Sequence, residues 1–270
     1  MTPTTRREDY RGRPSALVTG AVVLFLIAPQ LILLWQSFTA EPHLSFPPAA
    51  YGLRWYRYVL TSPDWTQAIA RSLLVAGIVT PLTLLIGAAA ALGLDRGPLR
   101  GRRALYTTLI SPMILPHVVL GLAMFRVALW FDVQDTVLGY VLAHLTISVP
   151  YVVITVGASL QSFDRSLEEA AQSLGASPWR ALCHITLPVI RPGIVAGGIF
   201  TFITSLDEFI ITYFLSTHKV TLPIQVFSSL TYQLEPSISA VSGLTLMITG
   251  LLTGLLVARG QILGGQRIVR

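Results

Sequence analysis

The chain has 270 residues, 53% of them apolar and only 12% Asp, Glu, Lys or Arg, about half the charged share of a soluble globular protein. So few charges cannot cover a soluble globule of this length, and a mean hydropathy of +0.65 excludes disorder, which needs low hydrophobicity and high net charge. The net charge of +6 comes from 19 basic and 13 acidic residues. Lys219 is the only Lys and follows no Gly, so a phosphate loop of the GxxxxGK[ST] type is absent and the chain is not expected to hydrolyse ATP itself. Cys183 is alone, which excludes an internal disulfide and a Cys-based metal cluster.

A hydrocarbon core needs about 20 apolar residues as helix. Six stretches meet this length: residues 16–35, 72–94, 105–130, 136–158, 193–215 and 238–257. They predict an all-α membrane protein with a six-helix domain over residues 16–258, a tail over 1–15 and a second tail over 259–270. The first stretch reads as a retained anchor. Its apolar run is too long for the core of a signal peptide, Phe38 spoils the small-residue pattern before Ala40, and Glu8 and Asp9 after Arg6 and Arg7 argue against a twin-arginine signal. In the loop that follows, Pro47 and Pro48 break the chain. Residues 53–60, rich in aromatic side chains and Arg, then suit a helix lying in the outer interface, or else a simple loop with anchoring aromatics.

Basic residues fall on alternate sides of the six stretches. Fourteen lie in the tails and in the second-to-third and fourth-to-fifth loops, against four (Arg54, Arg57, Arg71 and Lys219) in the other loops, with Arg126 inside the third stretch. The positive-inside rule then places both termini in the cytoplasm. The short loop with Asp132 and Asp135 has no basic residue, which agrees. Arg spread over several loops is not a nucleic-acid patch, and no nucleic-acid partner is expected; the partner is membrane lipid.

Residues 162–191, between the fourth and fifth stretches, carry the clearest local signals. Asp164 is a candidate N-cap, with Glu168 and Glu169 favourable near a helix start. Gly175 is placed to end that helix in left-handed geometry. Ser177 caps a second helix, with Pro178 at its first position, and Pro188 and Pro192 end the segment. Glu169-Ala170-Ala171, then Gly175, Ile185 and Leu187-Pro188 at their spacings resemble the EAA loop of ABC importer permeases. Ser72-Leu73, Leu206-Asp207-Glu208-Phe209, Thr221-Leu222-Pro223 and Ser239-Ala240-Val241-Ser242 are similar to the same family, most of all to its polyamine (spermidine/putrescine) type. Arg71 departs from the family, which often has Asn there.

The resemblance implies a type I importer (MetI-like) permease fold in a bacterial inner membrane. It implies that Glu169, Ala170, Ala171, Gly175, Ile185, Leu187 and Pro188 dock on a separate ATPase. It also implies a heterodimer with a second, homologous permease, two ATPase subunits and an external solute-binding protein. No cofactor is expected on this chain, since ATP and Mg belong to the ATPase.

Charges inside a membrane are functional candidates. Thr201, Ser205, Glu208 and Thr212 recur at helical spacing, with Asp207 beside them. His144, Ser148, Tyr151 and Thr155 repeat the pattern in the fourth stretch, and Ser242, Thr245 and Thr249 in the sixth. These faces would line a gated path for a cationic solute, or else the acids pair with Arg126, His144 or a sister subunit to hold helices together. Gly193/Gly197 and Gly250/Gly254 are helix-packing spacings, and Pro112 and Pro116 should kink the third stretch. His117, His144 and His184 lack ligand-spaced partners, so no metal site is expected, and no nucleophile–His–acid motif marks an enzyme. A proton-coupled secondary transporter using Asp207, Glu208 and His144 is the alternative; it would be favoured by repeats or paired broken helices.

Overall fold

Pro63 opens a helix rather than only ending one, because a proline at the first helical position forfeits no hydrogen bond and Ser62 before it takes the extended geometry that proline imposes. The structure, a computed structural model, describes residues 13–232 and 235–264. Residues 1–12 and 265–270 of the two expected tails lie outside the described residues. Along the chain run α1 (Arg13–Gln36), α2 (Arg54–Thr61), α3 (Pro63–Arg96), α4 (Arg102–Ile110), a 3-10 turn (Ser111–Met113), α5 (His117–Trp130), α6 (Val137–Gln161), α7 (Ser166–Ser173), α8 (Pro178–Ala181), a π-helical turn (Leu182–Thr186), α9 (Leu187–Val189), α10 (Arg191–Asp207), α11 (Ile210–Leu215), α12 (Leu222–Tyr232) and α13 (Ser237–Gly264). The expected interfacial segment is the helix α2.

The six expected spans are not six continuous helices. Among the described residues three are long and apolar enough to cross a bilayer: α3, α6 and Leu17–Gln36 of α1. The third expected span is split. Arg102–Met113 and His117–Trp130 meet at 98°, because Pro116 has no N–H to give and disfavours helical geometry in the residue before it. The fifth is split as well: α10 ends at Asp207, Glu208 is extended (φ −70, ψ 111), and α11 starts at Ile210. Pro178–Val189 also meets Arg191–Asp207 at 68°, and counting each bent pair as one span gives five. The described apolar part of α13, Ser237–Leu251, is shorter than a span.

The chain forms two compact units. In the unit of residues 1–62 and 228–270, α13 packs on α1 and α2. Gly243 allows this approach, since a Cβ there would lie 2.6 Å from the Tyr56 hydroxyl. That hydroxyl is 2.7 Å from Ser37 Oγ. α2 buries Trp55, Tyr56 and Val59 and leaves its other face exposed. α1 exposes Leu17, Leu24, Phe25 and Leu31 around its circumference, as suits a helix whose cover is lipid or another protein.

In the unit of residues 63–227, α3, α6 and α10 pack against one another, and α11 packs on α5. Val75 and Val79 of α3, Tyr140 and Ile147 of α6, Leu120 of α5 and Ile211 of α11 share one core; Ala91, Val152, Val156, Leu160 and Ile190 share a second. The Gly193/Gly197 spacing works as expected. A Cβ at Gly197 would sit 2.7 Å from Thr155 Oγ1 of α6, and one at Gly193 would meet Ser159. A Cβ at Gly250 or Gly254 would meet nothing within 4 Å, so that spacing holds no close approach among the described residues.

Candidate functional site: the connecting loop and a buried polar cluster

α7 ends as its sequence requires. Ala176 N–H donates to Ala171 C=O and Gly175 N–H to Gln172 C=O, with Gly175 at φ +89, the paired closure that needs a left-handed residue. Ser177 then caps α8 by accepting the N–H of Arg180, with Pro178 at the first position. The start differs by one residue from expectation. The helix begins after Arg165, and Asp164 accepts the N–H of Ser166. That bond, with the Ser166 hydroxyl, holds the Asp164 carboxyl below its ordinary range.

The two adjacent acids of α7 face different ways. Glu168 turns inward: Arg96 Nη2 donates to its Oε1 at 2.7 Å, and the buried Thr186 hydroxyl donates to the same oxygen. Next to them Arg165 Nη2 reaches Asp95 Oδ2 at 2.7 Å and the Asp95 carbonyl at 2.9 Å. Glu169 is exposed and has no ion pair among the described residues. Ala170, Gly175 and Pro188 are also exposed, while Ala171, Ile185 and Leu187 are half-buried. Leu174 is 90% exposed and Trp179 71%. Two large apolar side chains are thus left uncovered around this turn.

The second group is buried between helices. His144 of α6 bridges the break in the fifth expected span, with Nδ1 2.8 Å from Ser205 Oγ on α10 and Nε2 2.8 Å from Thr212 Oγ1 on α11. One ring nitrogen can donate while the other accepts. Because α10 stops at Asp207, Thr201, Ser205, Glu208 and Thr212 do not share one continuous helical face. His144, Ser148, Thr201, Ser205, Glu208 and Thr212 are all buried within this chain. Ser148 Oγ and Thr201 Oγ1 have no hydrogen-bond partner among the described residues. Tyr151 stacks on Phe200 with ring centroids 6.1 Å apart, and Asp207 is exposed.

Glu208 pairs with neither Arg126 nor His144. Its Oε1 accepts the N–H of Ile211 at 2.8 Å, capping α11, and its Oε2 lies 3.5 Å from Nδ1 of His117. His117 is the first residue after the bend at Pro116. The pair therefore joins the break at Pro116 to the break at Glu208. Arg126 is exposed on α5.

A further clamp holds the loop after α11. Asp135, at φ 54, accepts N–H groups from Thr217, His218 and Lys219 at 3.0 to 3.1 Å, and the Tyr140 hydroxyl donates to it at 2.8 Å. Burial pushes its carboxyl up, but the N–H groups and the hydroxyl outweigh that and hold it below the ordinary range. Arg71 donates to Val220 C=O at 2.6 Å, and Ser72 Oγ accepts the N–H of Leu222 at 2.8 Å. No group of three or more His, Cys, Asp or Glu among the described residues could hold a metal ion.

Residues 83–261 match the family described as the binding-protein-dependent transport system inner membrane component. The chain belongs to this family. It is 33% identical over 248 residues to the putrescine transport system permease protein PotI of Escherichia coli K12, covering 88% of each chain. It is 26% identical over 254 residues to the spermidine/putrescine transport system permease protein PotC of the same strain, covering 93% of this chain and 96% of that one. Its fold is that of a chain from a bacterial ABC transporter that imports the acidic polysaccharide alginate, with TM-score 0.70, 18% identity and coverage of 95% and 99%.

The protein is thus a multi-pass permease subunit of an ABC importer in a bacterial inner membrane. It is a transport component rather than an enzyme, and works with an ATPase and a solute-binding protein. The two broken helices would by themselves also suit a secondary transporter; membership of the permease family decides against that alternative. The sequence does not reveal the pairing of Arg96, Glu168 and Thr186 at the loop, the clamp of Arg71 and Asp135 on the segment after α11, or the meeting of His117 with Glu208. Pro116 is a helix-breaking signal beside His117, whereas no local residue type marks the break at Glu208.

Proposed function

We propose that this permease forms half of a translocation path for a polyamine or similar small cation, with both termini in the cytoplasm and residues 162–191 docked on the ATPase. The observation that carries the docking is the division of labour on α7: Glu168 is held by Arg96 and Thr186, leaving Glu169, Leu174 and Trp179 outward. A basic residue of the ATPase would meet Glu169, and the exposed Gly175 turn with Ala170 would admit a close approach.

A push on this loop reaches the spans by two routes. One is continuous chain, from α6 through α7 and from α9 into α10. The other is the pair of contacts Arg165–Asp95 and Arg96–Glu168, which grip the end of α3. On the membrane side, motion of α3, α6 and α10 would part the seam where Ser148 and Thr201 lack partners and would expose Glu208. A buried carboxylate at a helix break favours a cationic solute by charge attraction. The likeness to PotI and PotC, whose names give putrescine and spermidine, supports that solute class, and a heterodimer with a second homologous permease is part of the same proposal.

The test is reconstitution of the permease with its partner permease, ATPase and binding protein in vesicles, with ATP inside. Uptake of labelled putrescine or spermidine that requires the binding protein is the expected result. ATP-dependent uptake confined to a non-cationic solute would reject the polyamine assignment, and uptake indifferent to ATP would reject the docking as well.

A further inference from the structure

The ends of α3, α4 and α6 nearest the connecting loop line an open cavity of about 500 Å³. It shares no residue with the His144–Glu208 cluster or with the loop. Its apolar wall includes Leu94, Val153 and Gly157, and its rim carries Arg102, Arg103 and Tyr106 of α4. One carboxylate, Asp95, lines it. That carboxylate already has Arg165 at 2.7 Å, and Arg102 stands 4.0 Å from it. Arg103 is exposed and has no acidic partner among the described residues.

The cavity therefore combines an apolar wall with a rim of surplus positive charge. A free anion would use the rim and leave the apolar wall facing water. A neutral lipid would fill the apolar part and leave the rim unanswered. An anionic amphiphile satisfies both halves, and basic pockets between spans are where acidic lipid headgroups bind.

We propose that this cavity holds an anionic phospholipid, its phosphate between Arg102 and Arg103 and its glycerol and first acyl carbons against Leu94 and Val153. The leaflet is the cytoplasmic one if the proposed orientation holds; the binding itself does not depend on that orientation. The lipid would sit beside Asp95 and Arg96, the two residues through which the loop grips α3. Acidic lipid would thereby help set the position of the connecting loop.

The test uses the assembled transporter, extracted from vesicles of phosphatidylethanolamine with or without phosphatidylglycerol and weighed intact by native mass spectrometry. Wild type should retain phosphatidylglycerol and not phosphatidylethanolamine. The double change Arg102→Gln/Arg103→Gln should reduce retention about thirtyfold, at about 1 kcal/mol for each of the two surface charges, and Arg102→Lys/Arg103→Lys should restore it. Gly157→Leu keeps both arginines but fills the cavity, because a Cβ there meets no atom within 4 Å; retention should fall again. Equal retention of the two lipids, or retention unchanged in both the Gln and Leu variants, overturns the proposal. So does displacement of the lipid by glycerol phosphate at equal concentration, which would mark a free-anion site. Loss of the ATPase from Gly157→Leu with lipid still bound would mark a protein-docking surface and overturns it too.

Discussion

Arg96, in the last turn of α3, donates to the carboxylate of Glu168, in the first turn of α7, across 2.7 Å. The Thr186 hydroxyl shares the same oxygen, so one carboxylate ties the end of a long span to both halves of the connecting loop. A partly exposed ion pair contributes about 1 kcal/mol or less to stability, which separates its effect on coupling from its effect on folding. Glu168→Gln and Arg96→Gln should leave the melting temperature nearly unchanged. The stimulation of ATP hydrolysis by loaded binding protein should fall about fivefold or more, the range of a coupling energy of about 1 kcal/mol. The exchange Arg96→Glu/Glu168→Arg should recover part of it. Full stimulation in both single variants, assayed in vesicles, would remove α3 from the coupling route.

Gly175 closes α7 at φ +89. A β-branched residue there is strained by about 1–2 kcal/mol, whereas Asn tolerates the geometry. Gly175→Val is expected to lower coupled uptake strongly while the assembled complex still forms in detergent. Gly175→Asn should stay near wild type. Equal uptake in the two variants would show that the turn geometry is not what the ATPase reads.

Glu208 has two jobs on its two oxygens: Oε1 caps α11 through Ile211, and Oε2 faces His117. Glu208→Gln keeps an oxygen for the cap but loses the charge. Under the cationic-solute proposal it should raise the KM for uptake by about tenfold or more, roughly the 1.5–3 kcal/mol of a hydrogen bond to a charged group, with a smaller change in maximal rate. His117→Ala removes a competitor for the same carboxylate and should lower KM or leave it unchanged. A rise in KM in both variants would instead assign the pair to holding the two breaks together.

Asp135 is the carboxylate whose environment predicts a pH effect. Its folded-state pKa is held below the ordinary value, so its contribution is fully present above the ordinary carboxylate pKa of about 3.9 and is lost as pH falls through the lower, folded value. Asp135→Asn replaces one accepting oxygen with a donor facing the N–H groups. It should cost about 1–2 kcal/mol near pH 7. Thermal unfolding followed between about pH 7 and about pH 3 should show the gap from wild type closing only at the acid end. A gap independent of pH would mean that hydrogen-bond geometry, not charge, holds the loop.

Much of this molecule is legible locally. Gly175, Ser177 and Pro178 specify a turn and a cap through backbone geometry alone, and they appear where the residue types require. Gly193 and Gly197 announce a close helix approach, and α6 provides it. Other signals were ambiguous for a physical reason. Pro112 and Pro116 promise a kink, but whether a proline bends a helix or ends it depends on what neighbouring helices can satisfy. Helical spacing of Thr201, Ser205, Glu208 and Thr212 assumes unbroken helix, and the extended backbone at Glu208 ends that assumption. His144 still gathers Ser205 and Thr212, but from opposite sides of the break.

By itself the sequence determined the membrane class, the positions of the apolar stretches and the helix, turn and cap of the connecting loop. These depend on composition and on interactions within a few residues. Only the tertiary structure decided which of two adjacent glutamates turns inward, that Glu208 meets His117 rather than Arg126 or His144, and that Asp135 and Arg71 hold the loop after α11. Arg96 and Glu168 are 72 residues apart, and Arg71 and Val220 are 149 apart. No local pattern encodes such pairs, because their partners are chosen by the packing of α3 against α6 and α10.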